Sequence, residues 1–80
     1  MEGYGYLRVK AFLKLTPKSV QVVIPNDGVE EGTCCYVPFS QIAPGSTRNI
    51  RSMMGKVGEF KLCVSWWWIE KVGLTHKARY

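Results

Sequence analysis

Residues 4–15, YGYLRVKAFLKL, decide the fold class. Leu7, Val9, Ala11, Leu13 and Leu15 share one parity, while Tyr4, Tyr6, Arg8, Lys10, Phe12 and Lys14 share the other. Side chains alternate between the two faces of a strand, so this spacing predicts a strand whose aliphatic parity lies on a core. The other parity interleaves aromatic and basic residues, the combination that stacks bases and neutralises phosphates in proteins binding single-stranded nucleic acid. It also arises on an ordinary solvated face, where lysine stems lie over aromatic rings. Tyr6, Arg8, Lys10, Phe12 and Lys14 are candidate nucleic-acid contacts on the first reading.

Outward from this strand, Thr16-Pro17-Lys18-Ser19 is a turn, with proline pre-setting φ at its second position. It returns the chain into a second strand at residues 20–24, antiparallel to the first. Pro25-Asn26-Asp27-Gly28 is a second turn, which Glu30-Glu31-Gly32 extends into a loop. A third strand follows through Thr33, Cys34, Cys35, Tyr36 and Val37, and Pro38 ends its pairing or confines it to an edge. Within residues 43–58, Ile50, Met53 and Met54 have the i, i+3, i+4 spacing of a short helix, with Ser46 or Thr47 as its cap. Gly45, Gly55 and Gly58 argue instead for a loop, whose Arg48, Arg51, Lys56 and methionines would form an adaptable contact surface.

A further strand is marked by Phe60, Leu62 and Val64 facing in, with Glu59, Lys61 and Cys63 facing out. Ser65 is suited to cap a helix at residues 66–71, and Gly73 fits the left-handed position just past its end. Residues 74–80 read as a basic, frayed tail. The 80 residues therefore form one domain, mainly β or small α+β. Its expected architecture is a four-stranded, largely antiparallel sheet or small barrel with a short C-terminal helix.

Trp66-Trp67-Trp68 constrains the surface as well as the core. Neighbouring side chains point about 100° apart on a helix and to opposite faces on a strand, so one face cannot hold all three rings. Two of them suffice to build much of a small core, since a buried tryptophan covers roughly 150–250 Å². A third ring at the edge or outside is a contact surface.

Eleven basic residues against six acidic ones give a formal charge of +5. Arg8, Lys10, Lys14 and Lys18 run without an intervening acid, as do Arg48, Arg51 and Lys56, whereas Asp27, Glu30 and Glu31 fall together. Segregated basic charge attracts nucleic acid or an acidic protein surface. No apolar run reaches the roughly 18 residues of a membrane span, and the N-terminus lacks signal-peptide character. Cys34, Cys35 and Cys63 then read as thiols of the cytoplasm. Adjacent cysteines on a strand point to opposite faces, so Cys34 and Cys35 do not share a metal ion; one packs as a small hydrophobe and the other is exposed. His76 lies in the tail with nothing to orient it as a base for a cysteine, and the few carboxylates form no acid/base pair. The expectation is a binding protein, not an enzyme, with neither cofactor nor metal.

Two stretches carry a resemblance: Tyr36-Val37-Pro38-Phe39-Ser40-Gln41-Ile42, and residues 60–74, FKLCVSWWWIEKVGL. A strand ending in aromatic-Val-Pro-x-Ser-Gln-Ile, then a strand leading to Trp-(Leu/Ile)-x-x-Lys-x-Gly-Leu, resembles small uncharacterised proteins of bacteriophages and mobile elements. The resemblance covers about half the chain and excludes the basic segment 43–58. It implies that Tyr36 and Trp67 or Trp68 anchor the core, leaving Trp66 the freer ring. By class it also implies a cytoplasmic inhibitor of a bacterial host's defence, of the anti-CRISPR type, acting on a host protein or nucleoprotein complex. Trp66, Arg48, Arg51, Lys56 and Met53 would then form the contact, since desolvated tryptophan and arginine are the usual hot-spot types. A small β-barrel that binds single-stranded nucleic acid is the alternative, and a homodimer built on exposed aromatics is a third expectation.

Overall fold

The computed structural model describes residues 3–26 and 32–79. Its strands are β1 (Tyr4–Leu15), β2 (Ser19–Pro25), β3 (Gly32–Pro38), β4 (Val57–Ser65) and the short β5 (Ala78–Arg79). The helices are α1 (Ile50–Met53) and α2 (Trp66–Lys71). One mixed-length antiparallel sheet runs in the order β3-β2-β1-β4, and β5 adds to β1 beside the stretch that β2 does not reach. The sheet does not close into a barrel. Ile42 makes a single bridge to Val64 at the rim of β4, and Ala43 N–H donates to the Cys63 carbonyl at 2.9 Å. The turn at Pro17-Lys18 forms as expected, with the Thr16 hydroxyl oxygen accepting from Ser19 N–H at 2.9 Å. The expected turn at Asp27-Gly28 and the loop through Glu30-Glu31 lie outside the described residues.

One face of the sheet is covered. Leu7, Val9, Phe12, Val20, Val22, Ile24, Val37, Leu62 and Val64 join Ile42, Ile50, Trp66, Trp68 and Ile69 in a single buried cluster. The covering residues all come from segments between or after the strands. The thinnest dimension is 17 Å, room for the sheet and one further layer at a spacing of about 10 Å, not for two. The opposite face of the sheet is therefore solvent-facing.

The alternation in β1 holds only in part. Leu7 and Val9 face the core, but pairing with β4 slips by one residue between Val9 and Ala11, and pairing with β2 slips between Phe12 and Lys14. At the first slip the extra residue lies on β4, where Gly58 and Glu59 stand against Lys10; at the second it lies on β1, where Leu13 has no partner on β2. Phe12, expected on the solvent face, pairs with buried Val22, is 1% exposed and packs against Phe60 with ring centroids 5.5 Å apart. Leu13, expected in the core, is 49% exposed. Leu15 returns to the core side and packs against the cluster.

Residues 43–58 are neither a plain loop nor a capped helix. Pro44–Asn49 winds as a 3-10 turn that runs directly into α1. Ser46 and Thr47 sit inside that turn, so neither can cap α1. Ile50 is buried, with Met53 and Met54 packed around the cluster, as their spacing requires. Gly55 N–H donates to the Phe12 carbonyl at 2.9 Å, which ties the segment to β1. The expected tail also has structure: Thr75–Lys77 makes a 3-10 turn, Lys77 is buried, and Ala78 pairs with Leu7.

α2 spans the expected residues and is followed by Gly73 at φ 79°, in the left-handed region. Trp66 and Trp68 are buried, while Trp67 is 55% exposed. The expectation of a freer Trp66 is therefore reversed. Ile69 explains why: it lies three residues after Trp66, so both project onto one side of the helix, and Glu70 and Lys71 share the side of Trp67. Tyr36, expected as a core anchor, is 53% exposed because Cys35 and Val37 take the core-facing parity of β3.

The Trp66 ring covers the backbone of Gly5. A Cβ built at Gly5 would sit 2.4 Å from Cε2 and Cζ2 of that ring, closer than side chains approach. Gly5→Ala should destabilise the fold by about 1–3 kcal/mol through overpacking, and Trp66→Ala by about 3–5 kcal/mol. Urea denaturation measures both; an unchanged midpoint for Gly5→Ala would show that the ring is not held there.

Candidate nucleic-acid interface

The solvent-facing side of the sheet gathers most of the strand residues singled out from the alternation. Before the first slip, Tyr4 lies opposite Ser65, Tyr6 opposite Cys63 and Arg8 opposite Lys61 of β4. Beyond the second bulge, Lys14 lies opposite Gln21, which in turn lies opposite Tyr36 of β3. Between these rows, Ala11, Val23 and Cys34 form a third. The face therefore carries Tyr4, Tyr6 and Tyr36 with Arg8, Lys10, Lys14 and Lys61. Lys14 lies on this face through its pairing with Gln21, with Leu13 the extra residue of β1 between it and core-facing Phe12.

Tyr4, Tyr6 and Tyr36 are 50%, 45% and 53% exposed. Arg8 and Lys10 are half-buried, and Lys14 and Lys61 are exposed. Phe12 is absent from this face, and Tyr36 and Lys61 are the members that the alternation of β1 alone did not bring to it. The strong parity of β4, with Lys61 opposed to Phe60 and Leu62, was the available signal for Lys61. Arg8 and Lys61 are directly opposed across β1 and β4. Glu59 is the one acid on the described strands.

The other expected set does not assemble. Arg48, Arg51 and Lys56 are exposed and Met53 is half-buried. Arg51 borders a shallow cavity of about 390 Å³ lined by Leu15, Thr16, Pro17, Phe39, Thr47 and Ile50. Trp66, by contrast, is buried over Gly5, whereas this segment is tied to β1 at Phe12. Seven residue steps of strand, from Gly5 to Phe12, separate the two attachment points, on the order of 20 Å. The exposed ring is Trp67, over which Lys71 Nζ sits 4.7 Å from the centroid in a cation–π contact.

The thiols divide as the strand parity requires. Cys34 is exposed and Cys35 packs against the core cluster. Burial pushes the Cys35 thiol up from its ordinary value, which keeps it protonated and weakly nucleophilic at neutral pH. Among the described residues, no three of His, Cys, Asp and Glu come together as a metal site. No family model matches the chain, no curated protein aligns with it significantly, and no solved structure matches its fold significantly.

The tryptophans give a direct check on which ring a partner can reach. Trp67→Ala should change stability by no more than about 0.5 kcal/mol, while Trp68→Ala should cost about 3–5 kcal/mol. Acrylamide quenching of the native protein should remove the Trp67 emission first and leave a shielded remainder from the other two. Equal accessibility of all three rings would contradict the burial of Trp66 and Trp68.

Proposed function

We propose that this protein binds single-stranded nucleic acid on the uncovered face of its sheet. The observation that carries this reading is the set of three half-exposed tyrosines on one face with Arg8, Lys10, Lys14 and Lys61. Tyrosine rings offer π-faces to any base, and the basic side chains take up the phosphates between them. Tyr4 and Tyr6 are two residues apart on one strand, about 6.7 Å, roughly twice the 3.4 Å per-strand spacing of duplex DNA. Rings at that spacing suit bases that are splayed apart, not stacked in a helix. A four-strand platform is also about 14 Å across its strand axes, too broad for a B-DNA major groove of about 12 Å.

Recognition on such a face is sequence-tolerant, because stacking and charge do not read base edges. Arg8 and Lys61 stand opposite each other on this face, two residues along β1 from Tyr6. Inhibition of a host nucleoprotein complex is the second reading, and Trp67 is the observation in its favour: an exposed tryptophan, in contact with Lys71, is the type of residue that anchors protein interfaces.

Titration of the reduced protein with fluorescein-labelled oligonucleotides separates the two. Single-stranded DNA or RNA should bind more tightly than the matching duplex, and Tyr6→Ala should weaken binding by about 1–3 kcal/mol. Lys61→Gln should reduce the slope of log affinity against log salt by about 0.7. Arg51→Gln, remote from the face, should leave both unchanged. Absence of binding at about 50 mM salt, or equal loss from Tyr6→Ala and Arg51→Gln, would reject the sheet face and direct the search to a protein partner of Trp67.

A further inference from the structure

β3 is an edge strand, and the direction of its backbone groups can be read from the register. Phe39 N–H donates to the Lys18 carbonyl at 2.9 Å, in line with the Ser19–Pro38 pairing. Hydrogen-bonded and non-hydrogen-bonded pairs alternate along an antiparallel ladder. Val37–Val20, Cys35–Val22 and Thr33–Ile24 are then the hydrogen-bonded pairs, and Gly32, Cys34, Tyr36 and Pro38 turn their backbone groups away from β2. Two independent facts agree. Pro25 and Pro38, which have no N–H, both fall in non-hydrogen-bonded pairs. The Cys35 thiol donates to the Tyr36 carbonyl at 3.8 Å, an oxygen that the ladder with β2 leaves unused.

Gly32 to Pro38 contains no charged side chain. Edge strands are normally protected by charge, by bulges or by a covering segment. The opposite edge, β4, has such protection: Glu59 and Lys61 along it, and the Ile42–Ala43 segment over its end. β3 has β2 on one side and no further strand on the other among the described residues. In a chain of formal charge +5, two copies repel wherever basic surfaces meet, so an uncharged edge is where they can approach.

We propose that two copies of this chain associate by antiparallel pairing of β3 with β3 about a two-fold axis at Cys35. The edge is self-complementary in that register. Cys34 pairs with Tyr36 of the second copy, and Gly32 pairs with its Pro38. The outward N–H groups of Gly32, Cys34 and Tyr36 each meet an outward carbonyl, and Pro38, which has no N–H to place, falls at the end of the ladder. The two sheets become one of eight principal strands, with Tyr36 of each copy close to the axis on the same broad face. Cys35 meets its counterpart as a non-hydrogen-bonded pair with Cα atoms about 4.5 Å apart, within the roughly 4.4–6.8 Å that a disulfide spans. Cys34 and Cys63 do not face their counterparts.

The test uses the full chain without nucleic acid, so its result is independent of the binding reading above. Sedimentation equilibrium of the reduced protein, from about 10 µM to about 1 mM, should show a monomer–dimer equilibrium. Cys34→Pro removes one outward donor per copy and no bond to β2, and should weaken the dimer about tenfold or more. Oxidation with diamide, which takes up the two electrons and two protons of a thiol pair, should cross-link the wild type through Cys35 to Cys35 despite the greater exposure of Cys34. Peptide mass mapping identifies the linkage, and it decides the matter even if Cys34→Pro fails to fold. A protein that stays monomeric throughout, a dimer insensitive to Cys34→Pro with native circular dichroism, or a cross-link through Cys34 or Cys63 would overturn the proposal.

Discussion

The indole of Trp66 lying against the backbone of Gly5 is the contact on which the rest of the fold depends. It fixes α2 over one face of the sheet directly where β4 ends, with Trp66 N–H donating to the Gly3 carbonyl at 3.0 Å. Trp68 and Ile69 then fall onto the same cluster. Leu74 N–H returns to the Ile69 carbonyl at 2.9 Å, the chain reverses past Gly73, and Ala78 comes to rest beside Leu7. A side chain larger than hydrogen at position 5 would lift the ring and with it the whole C-terminal segment. In an 80-residue domain, where only about 60–65% of the unfolded surface can be buried, no second core is available to replace that contact.

Most of the framework was legible in the sequence because its signals are local. The turn at Thr16–Ser19, the parity of β4, the helix at residues 66–71 and its left-handed glycine each depend on a few neighbouring residues. What was not legible depends on pairing. The two slips flanking the middle of β1 are not specified by YGYLRVKAFLKL, whose alternation of apolar and basic residues gives way only to the apolar run Ala11-Phe12-Leu13. They fall where the ladder of β1 with β4 gives way to its ladder with β2. Phe12 and Leu13 exchange places as a result. Their similar apolar character means that the sequence pattern alone does not distinguish the two arrangements.

The candidate site shows the same division. Tyr6, Arg8, Lys10 and Lys14 were readable as a set from one strand, but Tyr36 and Lys61 belong to it only through cross-strand register. The tryptophan triplet was solvable in principle. Ile69, three residues beyond Trp66, and the polar pair Glu70 and Lys71 beside Trp67 define the wet side of α2 by helical spacing. The expectation of a free Trp66 and a buried Tyr36 took no account of the parity of β3 or the helical spacing of α2. With Trp66 buried, the basic segment around Arg48 and Arg51 loses the aromatic partner that had made it a plausible hot spot.

The remaining question about the sheet face is whether it is an ordinary solvated surface. On a solvated face, lysine stems cover aromatic rings and recover part of their hydrophobic burial. Here Tyr4, Tyr6 and Tyr36 each leave about half of their surface in water, and the residue opposite Tyr36 is Gln21, which offers no long apolar stem of that kind. A single-stranded nucleic acid lying across the face would cover these rings with its bases and set its phosphates beside the basic side chains between them.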